Sequence, residues 1–235
     1  MNKNLILSIF IMLLIRGCSY LPEPLMVLPD VLNRETRDYI DILPSQQNIS
    51  STGFIIYPGG LVDPHAYIEL ASRFALSGSG HHVVIAKMPA NLAVMATRAA
   101  LRITEEFPGE RWVIGGHSLG GVMACSLLEK EASRFEGLVL MAAYSSGSVD
   151  LSHWEGAVLS ITAGNDRVLD RGKFEEGISR LPPHAIFYEI DGGNHGGFGS
   201  YGPQKGDGEA EISREAQHQQ IVEQLQNFYL ENGFE

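Results

Sequence analysis

The stretch Trp112-Val113-Ile114-Gly115-Gly116-His117-Ser118-Leu119-Gly120-Gly121 decides how the rest of the chain is read. An apolar run ends in Gly-x-Ser-x-Gly, and a helix-forming segment follows as far as Glu131. A sharp strand-to-helix turn of this kind lifts a serine hydroxyl above a sheet. The backbone then crowds the positions two residues before and two after the serine, which glycine tolerates best. The helix beginning under the serine also favours negative charge developing there. The pattern alone is weak, so its surroundings must support it.

Outward from Ser118, the chain alternates strand and helix. Phe54–Tyr57, Val83–Ala86, Trp112–Ile114, Leu138–Met141, Val158–Thr162 and Ile186–Ile190 read as strands. Their continuous apolar character suits strands covered on both faces, as in a parallel sheet. Asp63-Pro64 reads as a helix N-cap with proline in the first turn. Tyr67, Leu70, Ala71 and Phe74 then mark one helical face that stops near Gly78. Residues 90–106 read as one further helix closed by Pro108, and Ile221 to Tyr229 as an amphipathic C-terminal helix. A short edge strand is expected near Asp38–Leu43. This order predicts a three-layer α/β fold with a mostly parallel central sheet and helices on both faces. Ligand sites of such sheets lie beyond the carboxyl ends of the strands.

A serine nucleophile needs a base and a group to orient it. Asp166 follows the strand Val158–Thr162, and His195 follows Ile186–Ile190 within Asp191-Gly192-Gly193-Asn194-His195-Gly196. Ser, acid, His is the chain order expected for this architecture. Asp150, Asp170 and Asp191 are the other loop acids. An oxyanion hole needs two backbone N–H groups. Leu119 supplies one by position, and the loop Tyr57-Pro58-Gly59-Gly60-Leu61 the other, with Gly60 preferred to Leu61. His65, His81, His82, His153, His184 and His218 read as surface or strand-edge residues. Cys125 and Trp112 read as core. Trp154 could line a pocket, and Gly206 to Glu211 reads as a solvated acidic loop rather than a cation site.

These residues resemble the α/β-hydrolase superfamily. The blocks YPGGLVDP (57–64), KMPANLAV (87–94), WVIGGHSLGGVMA (112–124) and GGNHGGFGSYG (192–202) narrow the resemblance to small bacterial hydrolases similar to dienelactone hydrolases. It implies an α/β-hydrolase fold with Ser118 as nucleophile, Asp166 as acid and His195 as base. No metal or organic cofactor is implied. Dienelactone hydrolases generally carry Cys where this chain has Ser118, so their substrate is not carried over. The connection from Ala142 to Ala157 is short and polar, which predicts a minimal cap and an open site for a small acyl substrate: an ester, thioester or lactone. An amidase or peptidase on the same residues, and a non-catalytic surface binding module, are the other readings.

The 235 residues are 44% hydrophobic and 19% charged, which suits one globular domain with a real core. A net charge of −11 leaves no basic footprint for nucleic acid. At the N-terminus, Lys3 precedes the apolar run Leu5–Ile15, which is too short to span a bilayer and has the length of an export-signal core. Ile15-Arg16-Gly17-Cys18 resembles a bacterial lipobox apart from Arg16. The expected organisation is an export signal over 1–17 with a lipid on Cys18, a tether over 18–35 and the α/β-hydrolase domain over 36–235; an uncleaved N-terminal anchor and a plain secretory signal cut further on are the other readings of the N-terminus. Cleavage before Cys18 would remove Lys3 and Arg16 and take the charge to −13.

Overall fold

The computed structural model describes residues 19–24, 28–45 and 49–235. The expected export signal and Cys18 lie outside these residues. Eight strands form one sheet: β1 (Val31–Glu35), β2 (Tyr39–Pro44), β3 (Thr52–Tyr57), β4 (Val83–Ala86), β5 (Arg111–His117), β6 (Gly137–Met141), β7 (Ala157–Ala163) and β8 (Ile186–Ile190). Their spatial order is β1-β2-β4-β3-β5-β6-β7-β8. Only β2 runs against its neighbours, pairing antiparallel with both β1 and β4, while β4 through β8 are parallel.

Side-chain alternation sends successive residues of each strand to opposite faces. Phe54, Ile56, Val113 and Val139 enter one apolar layer, with helices α1 (Ile68–Ala75) and α5 (Arg214–Glu231) against it. Ile55, Tyr57, Ile114 and Leu138 enter the other, against α2 (Ala99–Glu106) and α3 (Leu119–Glu131). A fourth helix, α4 (Arg171–Ile178), connects β7 to β8. Each fully buried Phe, Ile or Leu contributes roughly 1.5–3 kcal/mol, so the two layers supply the main driving force. Asp63 caps the turn before α1 by accepting the His65 N–H at 3.0 Å, with Pro64 at its start, as expected. The β6–β7 connection contains no helix or strand. Among the described residues no helix is long and apolar enough to cross a membrane.

Three expectations need correction. The edge of the sheet is β1, inside the stretch expected to be a tether, and the strand expected at the edge (β2) lies one place further in. Residues 19–24 also lie on the domain: the Tyr20 N–H donates to Leu61 O at 2.8 Å, and its carbonyl accepts from the Asp63 N–H at 3.0 Å. Residues 90–106 are not one helix. Short turns at Pro89–Asn91 and Ala93–Met95 precede α2, because Ala90 and Asn91 adopt positive φ (53° and 55°). That conformation points Asn91 O at the Leu61 N–H, 2.7 Å away. Finally, His81, His82 and His218 are buried rather than superficial.

Candidate active site

Ser118 stands between β5 and α3 with φ 51° and ψ −122°. A non-glycine residue is rarely held there, at a cost of order 1–3 kcal/mol. The turn closes because its neighbours lack side chains. A Cβ on Gly116 would lie 2.6 Å from the Gly120 carbonyl carbon, and one on Gly120 would strike Tyr57 O. Leu61 (φ 63°) and Ala142 (φ 47°), at the ends of neighbouring segments, are strained in the same sense. Strain of this kind gathers at functional sites.

The loops after β7 and β8 bring Asp166 and His195 together. His195 Nδ1 donates to Asp166 Oδ2 at 2.8 Å, with both side chains almost fully buried. Asp166 Oδ1 accepts the N–H groups of Val168 and Leu169, each at 2.8 Å. Burial works to raise the Asp166 carboxyl. The His195 hydrogen bond and charge, helped by the two amides, outweigh it and hold the group below the usual carboxylate value. This fixes the His195 tautomer, with the proton on Nδ1. Nε2 is buried and has no hydrogen-bond partner among the described residues, so it makes no hydrogen bond to Ser118.

His117, beside Ser118, packs its ring against His195 (centroids 4.5 Å apart) and Phe198 (5.4 Å). The Tyr67 hydroxyl accepts the Gly59 N–H at 2.9 Å and so donates to His117 Nδ1 at 2.8 Å. Burial, then the neighbouring His195, pushes the His117 pKa well down, so this ring stays neutral. One phenol thus links the Gly59 loop to the ring supporting His195.

In that loop, Gly59 N–H is taken by Tyr67, Leu61 N–H by Asn91 O and Val62 N–H by Gly59 O. The Gly60 N–H has no acceptor among the described residues. A Cβ on Gly60 would lie 3.0 Å from Leu119 Cδ2, so the two chain segments touch. The Leu119 N–H begins α3 and has no partner within the helix. Of the two candidates named for this loop, the Leu61 N–H is already occupied and the Gly60 N–H is not, among the described residues.

A family profile for alpha/beta hydrolases matches residues 53–219, more than half of the sequence. The chain belongs to the alpha/beta hydrolase family. Solved structures similar to it include an alpha/beta hydrolase enzyme from the metagenome of lagoon sediments at Mar Chica, Morocco (14% identity, 86% of this chain and 100% of that one, TM-score 0.62). A dienelactone hydrolase from Anabaena variabilis is similar at 13% identity, over 86% and 98% of the chains, with TM-score 0.60. A monoacylglycerol lipase from Paleococcus ferrophilus is similar at 15% identity, over 74% and 94%, with TM-score 0.58. At these identities the likeness shows the fold. The search of curated proteins gives no match.

The hydrolase has a cavity of about 200 Å³ at Ser118, lined by Leu119, Val122, Ala142, Ala143, Tyr144 and residues 168–170. That is below the roughly 300–1,000 Å³ of pockets that take drug-sized ligands. Hollows of about 460 and 500 Å³ lie elsewhere and touch none of Ser118, Asp166 or His195. Trp154 lines the first of these, not the Ser118 cavity. Cys125 is fully buried, and burial pushes its thiol up to about 12, so it is packing and not a nucleophile. Among the described residues no group of three His, Cys, Asp or Glu could hold a metal ion. Sequence reasoning missed Tyr67 as a polar residue, the role of His117 and the inward-facing Asp207. Only His117, inside the elbow motif, carried a local signal.

Proposed function

We propose that the hydrolase cleaves a small ester, thioester or lactone through an acyl-enzyme on Ser118. His195 Nε2 takes the Ser118 proton as the hydroxyl attacks the acyl carbonyl. Asp166 holds the imidazole in the required tautomer and stabilises its cation. The Gly60 and Leu119 N–H groups stabilise the tetrahedral oxyanion. As the intermediate collapses, the bond to the leaving alcohol or thiol breaks and the His195 imidazolium protonates that group; a water that gives its proton to the same histidine then attacks the acyl-enzyme, and the acid is released with Ser118 reprotonated. The observation that carries this reading is the buried Asp166–His195 pair, whose Nε2 has no partner among the described residues, together with the strained serine at the end of β5. The small apolar cavity supports short acyl groups over long chains.

The test is turnover of matched acetate, butyrate and long-chain esters, with amides alongside, by wild type and Ser118→Ala. Short esters should be cleaved best, and Ser118→Ala should lose several orders of magnitude. Equal turnover by Ser118→Ala would end the proposal, and preference for amides would move it to the amidase reading. Export with a lipid on Cys18 is part of the same proposal. It is motivated by the apolar run Leu5–Ile15 and tested by mass analysis of the mature N-terminus. An unprocessed Met1 would refute it.

A further inference from the structure

Asp207 lies in the glycine-flanked acidic stretch whose sequence suggests solvation, yet its carboxylate faces inward. Oδ1 accepts the N–H groups of His195 (3.3 Å), Arg167 (3.4 Å) and Gly208 (2.8 Å). Oδ2 accepts the Gly196 N–H at 2.8 Å. One side chain therefore grips the main chain of the loop carrying His195 and of the loop carrying Asp166. The turn Gly196–Phe198 begins at His195, and such a turn leaves its first N–H groups without internal partners. Asp207 takes those of residues 195 and 196, and Asn194 Oδ1 takes that of Gly197 at 2.9 Å. The brace continues on both sides. Asn194 Nδ2 donates to Gly208 O at 2.8 Å, and Asn165 Nδ2 to Glu209 O at 3.0 Å. Gly208 is required because a Cβ there would strike Asn165 O.

We propose that Asp207 is a positioning residue for the reaction: by clamping the amides of Arg167, His195 and Gly196 it sets the His195–Asp166 pair in register with Ser118. The proposal rests on the serine-hydrolase reading for its effect on turnover, but not for its effect on His195. Asp207 touches neither Ser118 nor the lining of its cavity, so it acts on kcat and not on substrate binding. Misplacing a catalytic group by about 1 Å costs of the order of 100-fold in rate. Asp207→Ala removes all four acceptor contacts. Asp207→Asn, with its oxygen at the Oδ1 position, keeps three and sets an NH₂ against the Gly196 N–H.

The test compares wild type, Asp207→Ala, Asp207→Asn and the exposed control Lys205→Ala in two assays. With a short ester, kcat should fall about 100-fold for Ala and about 10-fold for Asn, with KM within a factor of two and Lys205→Ala unchanged. In proton NMR, the sheltered Nδ1–H of His195 should give a downfield resonance in wild type. That resonance should be lost to exchange in Asp207→Ala and weakened in Asp207→Asn. Wild-type kcat in a folded Asp207→Ala, or a kcat loss with the resonance intact, would overturn the proposal. Should Asp207→Ala fail to fold, Asp207→Asn decides by the same two readouts. If wild type shows no Ser118-dependent turnover, the functional reading fails, while the resonance still judges the clamp.

Discussion

Raising the pH from 6 to 9 should destabilise this protein through His82. The ring is 2% exposed and sits between two carboxylates, with Nε2 at 2.6 Å from Asp41 and Nδ1 at 2.7 Å from Glu110. Asp41 is itself buried and also holds Arg34 at 3.0 Å. Burial alone would lower the His82 pKa, but the two carboxylates outweigh it and bring the group up to about 9 from 6.5. The folded state therefore keeps a proton that the unfolded chain releases above pH 6.5. The stabilisation is fully present below 6.5 and is lost as pH rises through about 9. A shift of that size corresponds to roughly 3 kcal/mol, at about 1.4 kcal/mol per unit. Urea melts at pH 6 and pH 9 measure it directly. With a slope of about 2–3 kcal/mol per M, the midpoint should fall by about 1 M or slightly more. His82→Gln should be less stable at pH 6 and show little of this dependence. A wild-type midpoint flat across the range, or the same slope in His82→Gln, would refute the reasoning.

Further outcomes follow from other side chains. His81 stacks on Phe74 with both ring nitrogens unpartnered among the described residues, and burial brings it down to about 4, so stability should fall by roughly 3 kcal/mol as pH drops from 6.5 towards 4. His81→Phe should flatten that acid limb in the same urea assay, and an unchanged limb would count against it. Asp166→Asn keeps the acceptor for Val168 and Leu169 but faces an NH₂ towards His195 Nδ1, so the tautomer reverses and kcat should drop about 10⁴-fold; steady-state kinetics checks this. Tyr67→Phe strands the buried Gly59 N–H and His117 Nδ1, so the protein should lose about 1–3 kcal/mol of stability in the urea assay, and an unchanged midpoint would count against it. Val122→Phe fills the cavity at Ser118, so kcat/KM for butyrate esters should fall far more than for acetate esters.

What was legible in the sequence is what local chemistry encodes. Glycine around Ser118, proline after Asp63 and unbroken apolar strands each impose a conformation through contacts a few residues away. Asp166 and His195 were legible because strand ends in a parallel sheet converge, and both follow strands closely. What escaped depends on distant partners. Val31–Glu35 has no alternating pattern and becomes a strand only by pairing with Tyr39–Pro44. The break at Ala90 and Asn91 serves Leu61, thirty residues earlier in the chain. His82 is a buried cation only because Asp41 and Glu110 reach it from other segments. Asp207 is silent in sequence since its partners are main-chain amides, which every residue type but proline provides.

The central claim is that Ser118 is a nucleophile activated by His195, and an active-serine phosphonate probe with mass mapping of the adduct tests it most directly. Wild type should carry one adduct, on the peptide containing Ser118. Ser118→Ala should carry none, and His195→Ala should label slower by orders of magnitude. An adduct elsewhere in wild type, or equal labelling of a folded His195→Ala, would contradict the account.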